Sequence, residues 1–113
     1  MTQPKPGSTW QHFKHTPETP HLYTIICVTE AGELPMDAFP YFTVVHTETG
    51  ALLDLMASAS TLGRWIYPVQ VEPFVVYLPV NDNGKWWARP LSSFMAPDDR
   101  SPTGQKFWPV PTA

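Results

Sequence analysis

A single cysteine, Cys27, stands among 113 residues, so the chain can form no intramolecular disulfide and no cysteine metal site. One lone thiol suits a reducing compartment, and the expectation is a cytoplasmic protein. Charge is scarce as well. Charged residues are 15% of the chain and the net charge is -3, which argues against the basic face of a general nucleic-acid binder. No apolar run reaches membrane-spanning length, which argues against a membrane-embedded protein. The opening "MTQPKPGSTW" lacks the hydrophobic core of an export signal.

Catalytic signatures are equally thin. There is no Gly-x-Ser-x-Gly elbow, no glycine-rich phosphate loop and no convincing pair of carboxylates. The four histidines, His12, His15, His21 and His46, show no metal-ligand spacing. Cys27 lies within "LYTIICV", read as the most buried strand, where a thiol is inert. The reading is therefore a protein that is not an enzyme, with no metal and no cofactor.

Proline and aromatics are plentiful. Fourteen prolines exceed the usual share of about 5%. They interrupt helices and strand centres, leaving short strands, edges and ordered loops. Five Trp, four Tyr and six Phe argue against disorder. The expectation is one mainly β domain over 1–113, a twisted antiparallel sheet or partly open barrel of about 5–6 strands. Residues 1–8 read as a loose arm. The Pro-rich tail 96–113 is expected to be pinned to the body by Phe107 and Trp108.

Strands are expected at 22–28 and 41–46. "TETG" after the second is a turn in which Gly50 can take positive φ. The return segment then reads as the partner of a hairpin. Leu52, Leu55, Met56, Ala59 and Leu62 also fall at helical spacing, so a short helix near 51–62 is the alternative. "RWIYPVQV" is a broken strand. The clearest hairpin is 74–89, "FVVYLPV" answered by "KWWARPL" across "NDNG". In a strand, Trp86 and Trp87 point to opposite faces. One indole serves a core, and the other lies on a surface that wants a ligand, a partner or a second copy of the chain.

At "WQHFK", "HTETG" and "FVVYLPVNDNGKWWARPLSSF" the sequence resembles the small bacterial and phage proteins grouped as domain of unknown function 1653. That family shares a Tyr-x-His-Phe-Lys start, a Tyr-x-Val strand, a His-Ser-Glu-Thr segment, a Val-Val-Tyr strand and a Trp-x-Arg-Pro-Leu-x-x-Phe ending. Here Trp10, His12, Phe13 and Lys14 stand at the first motif, Tyr23 at the next, and Val75, Val76 and Tyr77 at the third strand. Trp87, Arg89, Pro90, Leu91 and Phe94 match the ending. The middle of the chain is much longer than the pattern. The His-Ser-Glu-Thr segment has two counterparts, His46 to Thr49 by letters or Thr29-Glu30 by distance from Tyr23; the first is preferred. The resemblance implies a compact domain in the style of a small SH3-like barrel.

The candidate ligand-binding residues are Trp10, His12, Lys14, His46, Glu48, Tyr77, Trp87 and Arg89. His12 and Lys14 share a strand face and form a pair suited to an anionic group. Arg89 shares a face with Trp87, so a guanidinium beside an indole can grip a planar anion. The plainer alternative is a salt bridge from Arg89 to Glu48, Glu72 or Asp82. Trp10, Tyr77 and Trp87 would stack on a base. The functional expectation is a non-catalytic binder of a small anionic, nucleotide-like ligand, suited to a phage-encoded protein that sequesters a signal. The alternative is a protein-interaction module or inhibitor of a host protein acting through an aromatic surface, and a homo-oligomer is compatible with either. A hydrolase or isomerase built on His46 and Glu48 ranks third, and direct nucleic-acid binding ranks below it.

Overall fold

The computed structural model describes residues 3–12, 22–80 and 84–110. Phe13, Lys14, His15, His21 and the Asn81 to Asn83 part of the expected turn lie outside the described residues.

Eight strands and one helical turn follow in chain order: β1 (Thr9–His12), β2 (Leu22–Val28), β3 (Ala38–His46), β4 (Leu52–Ser58), β5 (Arg64–Tyr67), β6 (Phe74–Pro79), β7 (Trp87–Pro90), α1 (Leu91–Phe94) and β8 (Phe107–Pro109). They form one sheet ordered β5-β4-β3-β7-β6-β2-β1-β8, curled into a half-barrel. The mainly β class matches the expectation, but the strand number is eight rather than about 5–6. β1 and β8, of four and three residues, lie in Pro-rich stretches and carry too little alternation to be counted from sequence.

The 51–62 segment is strand β4, not helix. Leu53 and Leu55 are buried on one face, whereas Leu52 is 72% and Leu62 97% exposed. Alternation from Leu52 to Leu55 gives way to consecutive burial at Met56, Ala57 and Ser58, and pairing with β3 on one side and β5 on the other prevails over helical spacing. β4 pairs with β3 from Val45↔Leu52 to Ala38↔Ser58, and Gly50 supplies the turn with φ +76.

The expected 74–89 hairpin is present, with Phe74↔Pro90 to Tyr77↔Trp87 in register. β6 also pairs antiparallel with β2. Thr29 joins the two: its N–H donates to Phe74 O (2.8 Å) and its Oγ1 accepts Phe74 N–H (2.9 Å). Strands β3, β4 and β5 are thus inserted between two strands that are themselves neighbours. The insert returns to the sheet through a short parallel contact, Val45↔Trp87 and His46↔Ala88. Glu30 N–H donates to Arg64 O (2.7 Å) and Gly32 N–H to Gln70 O (3.1 Å). These bonds draw the β5 edge round toward the end of β2 and produce the curl.

Alternation along β6 and β7 divides the interior into two cores. Phe74, Val76 and Ala88 join Val44, Leu53, Leu55 and Ile66 on one face. Val75 and Tyr77 join Trp10, Ile25, Phe94 and Phe107 on the other. α1 and β8 cover the second face. Phe94 and Phe107 stack at 4.2 Å with an interplanar angle of 10°. β2, expected as the most buried strand, has only Ile25 buried, because its neighbours lie near the open seam; β6 is buried at its first four positions.

The loose-arm reading of 1–8 needs correction for the described part. Gly7 N–H donates to Ile25 O (2.8 Å) and Ile25 N–H to Ser8 O (2.9 Å), so this turn extends the β1 ladder. The tail is pinned through Phe107, which is buried, while Trp108 is half-buried. Among the described residues no helix is long and apolar enough to cross a membrane.

Phe94 is fully buried between Trp10 and Phe107, so Phe94→Ala should destabilise the fold by about 3–5 kcal/mol. Urea denaturation checks this; a change under about 1 kcal/mol would show that α1 is not part of the second core.

Candidate functional site

The segment "RPLSSF" builds a polar site at the border of the second core. Arg89 is paired with Val75 in the β6–β7 ladder and so points toward the second core. Pro90 lacks an N–H and ends the strand. One helical turn then brings Ser93 back over Arg89 and drives Phe94 inward. Arg89 Nη1–H donates to Ser93 Oγ (3.0 Å), and Nε–H donates to the Tyr77 hydroxyl (3.3 Å). The guanidinium carbon lies 5.4 Å from the Phe107 ring centroid.

Around Arg89 a cavity of about 330 Å³ is lined by Tyr23, Thr47, Tyr77, Pro79, Trp87 and Arg89. This is near the lower end of small-ligand pockets. The lining comes from β2, β6, β7 and the turn after β3. Val45↔Trp87 pairing puts Val45, and hence Thr47 two residues on, on the Trp87 face. Tyr23 packs edge-on to Tyr77 at 5.2 Å.

Donors outnumber acceptors here. Arg89 has five N–H groups, of which two are used in the bonds above. No carboxylate stands against it: the ion pair present among the described residues is Arg100 with Asp98 at 2.9 Å, in an exposed turn. Glu72, one expected partner of Arg89, instead accepts Ser92 N–H at the start of α1 (3.0 Å). Glu48 is exposed in the β3–β4 turn, and Asp82 lies outside the described residues. Burial pushes the Tyr23 and Tyr77 phenols upward, opposed by the Arg89 charge, so both stay protonated donors. Thr47 Oγ1 is buried and makes no hydrogen bond of good geometry; it lies close enough to the Tyr77 phenol to lower its pKa slightly.

Of the expected site residues, the structure brings together Tyr77, Trp87 and Arg89. Trp10 lies outside this cavity: it is 3% exposed, packs on Phe94 at 5.2 Å, donates Nε1–H to Ser8 Oγ (3.2 Å) and lines a separate cavity of about 250 Å³ with Lys5 and Pro109. Tyr77 is buried apart from its place in the cavity wall. His12 sits edge-on to Phe107 at 4.8 Å, the ring that Arg89 also approaches, and is outside the lining. His46 packs on Phe74 at 5.3 Å, on the opposite face, and its Nδ1 accepts Glu48 N–H (3.1 Å). His46 and Glu48 thus shape a turn and do not face this cavity. Tyr23 and Thr47 were missed. Tyr23 was legible from its alternation with Ile25, but Thr47 required the parallel β3–β7 contact.

A larger cleft, of about 550 Å³, lies at the seam between β2 and β5, lined by Lys5, Cys27, Glu30 and Arg64 among others. Arg64 is engaged there, donating to Leu62 O (3.2 Å) and Gly63 O (3.0 Å). Its size is offset by a carboxylate wall and a satisfied cation, and the smaller cavity has the more specific chemistry. Among the described residues no cluster of His, Cys, Asp and Glu could hold a metal ion. Compared with family models, with curated proteins and with solved structures, the chain matches none. Function is therefore read from geometry.

Burial pushes the Cys27 thiol up to about 11 against the opposing Arg64 charge. A thiol that ionises more readily in the unfolded chain favours unfolding once pH exceeds the unfolded value. Stability should therefore fall as pH rises from about 9 toward about 11, and Cys27→Ser should flatten that part of a urea-midpoint profile. An identical profile in both proteins would contradict the assigned burial of the thiol.

Proposed function

We propose that this protein binds a small ligand carrying an oxyanion, and that it does so without catalysis. The observation that carries the reading is Arg89, a half-buried guanidinium held by two neutral hydroxyls with no carboxylate beside it among the described residues. A cation removed from water is costly unless paired, and a bound oxyanion would supply the missing partner. The Tyr23 and Tyr77 hydroxyls add neutral donors. Trp87 offers a half-exposed ring for a flat apolar part of the ligand. The described lining contains no carboxylate, imidazole or thiol, which supports binding over acid–base or nucleophilic chemistry. A nucleotide-like ligand, sequestered rather than converted, fits this combination of anion and ring.

A second reading is favoured by a separate surface. Phe42, 44% exposed, lies 4.0 Å from Trp86, and Tyr41 stands beside the same indole at 6.2 Å. Exposed rings in contact suit a protein partner. In this reading Trp86 carries the contact, on the face opposite Trp87.

Thermal denaturation with a panel of nucleotides, cyclic nucleotides and simple carboxylates separates the two. A ligand at about 100 times its dissociation constant adds about 2.7 kcal/mol, a rise of several degrees for a domain of this size. The rise should vanish in Arg89→Ala and persist in Trp86→Ala. A response lost in Trp86→Ala and kept in Arg89→Ala would move the site to the aromatic surface.

A further inference from the structure

We infer that the Arg89 cavity is selective for singly charged, two-oxygen anions, a carboxylate or a phosphodiester, over phosphomonoesters and polyphosphates. This rests on the oxyanion reading above and narrows it to a ligand class.

Two features of the cavity lead to it. The first is the charge balance. Among the described lining residues the positive charge is that of Arg89 alone. Lys85 stands with Nζ 5.9 Å from the Trp87 ring centroid and is not part of the lining. One guanidinium neutralises one negative charge. A second would find no further cation in the described lining, which is otherwise Tyr23, Thr47, Tyr77, Pro79 and Trp87. The phenols have no cationic form; kept neutral by burial, they neither balance nor repel a second charge.

The second is the set of free donors. Arg89 Nε–H is committed to Tyr77 and one Nη1–H to Ser93. What is left is both Nη2–H groups and the other Nη1–H. A guanidinium with donors free on both terminal nitrogens can offer a pair of N–H groups to two oxygens on one atom. A carboxylate has two such oxygens and one charge, as does the phosphate of a diester. A monoester brings a third terminal oxygen and, above pH about 6, a second charge. The Tyr77 hydroxyl already accepts from Nε–H, so its own proton is available to a bound acceptor. The neutral donors therefore add hydrogen bonds without adding charge tolerance.

The test is a titration of the full chain, followed by tryptophan fluorescence, with matched probes at pH 8: 3′,5′-cyclic AMP against AMP, and dimethyl phosphate against methyl phosphate, with acetate alongside. In at least one pair the diester should bind about 10-fold or more tightly than its monoester, and Arg89→Ala should abolish the difference. Lowering the pH to 5.5 converts the monoester to a monoanion, so its affinity should rise toward that of the diester, whose affinity stays level. The balance of dimethyl phosphate against acetate assigns the source of the anion. Monoesters bound as tightly as diesters at pH 8, still dependent on Arg89, would overturn the charge selectivity and leave the oxyanion site standing. No Arg89-dependent binding of any probe would overturn both.

Discussion

The structure depends on one strand, β6, whose first four residues are buried on both faces, with Ala88 of β7 beside it. Strict alternation sends Phe74, Val76 and Ala88 into one core and Val75 and Tyr77 into the other. Every other element is placed by which core it completes. The inserted β3–β5 strands cover the first face, and β1, α1 and β8 cover the second. Arg89 stands on the same ladder, paired with Val75, at the point where the second core runs out. Its position at a wet border follows from the alternation that fills the core.

The adjacent tryptophans follow the same rule. Trp86 packs against the first core and Trp87 against the second, and both are half-buried. The sequence poses a choice between core and surface, and each indole takes a part of both. That leaves two aromatic surfaces back to back. One has an arginine with free donors; the other has rings, with Arg64 over Tyr41 at 5.2 Å and bonded to the Leu62 and Gly63 carbonyls. The chemical difference between them is why the anion reading is attached to Trp87 and the partner reading to Trp86.

Much of the fold was legible. The β6–β7 hairpin stands on alternating apolar residues around a turn signal, and the β3–β4 hairpin on Gly50 after "TET". That Arg89 and Trp87 share a face was readable from their spacing of two. What sequence could not supply is long-range. The pairing of β2 with β6 spans an insert of three strands, and the parallel β3–β7 contact joins only two residue pairs. Thr47 enters the cavity through that contact, so no local pattern announces it. An aromatic in a short strand reads the same in sequence whether its ring packs in a core, as Trp10 does, or faces a ligand. A turn acceptor and an acid–base pair likewise share the spacing of His46 and Glu48, whose contact here is the turn bond.

The central claim is that Arg89 is a cation awaiting an oxyanion. The most direct measurement is the ¹⁵N–¹H signal of the Arg89 side-chain Nε–H, followed by NMR during titration with 3′,5′-cyclic AMP and with dimethyl phosphate. The account predicts a saturable shift of that signal, with the Trp87 indole N–H following at the same midpoint and the Trp86 indole unmoved. An Arg89 signal that stays fixed while Trp86 shifts would contradict it and assign recognition to the opposite face.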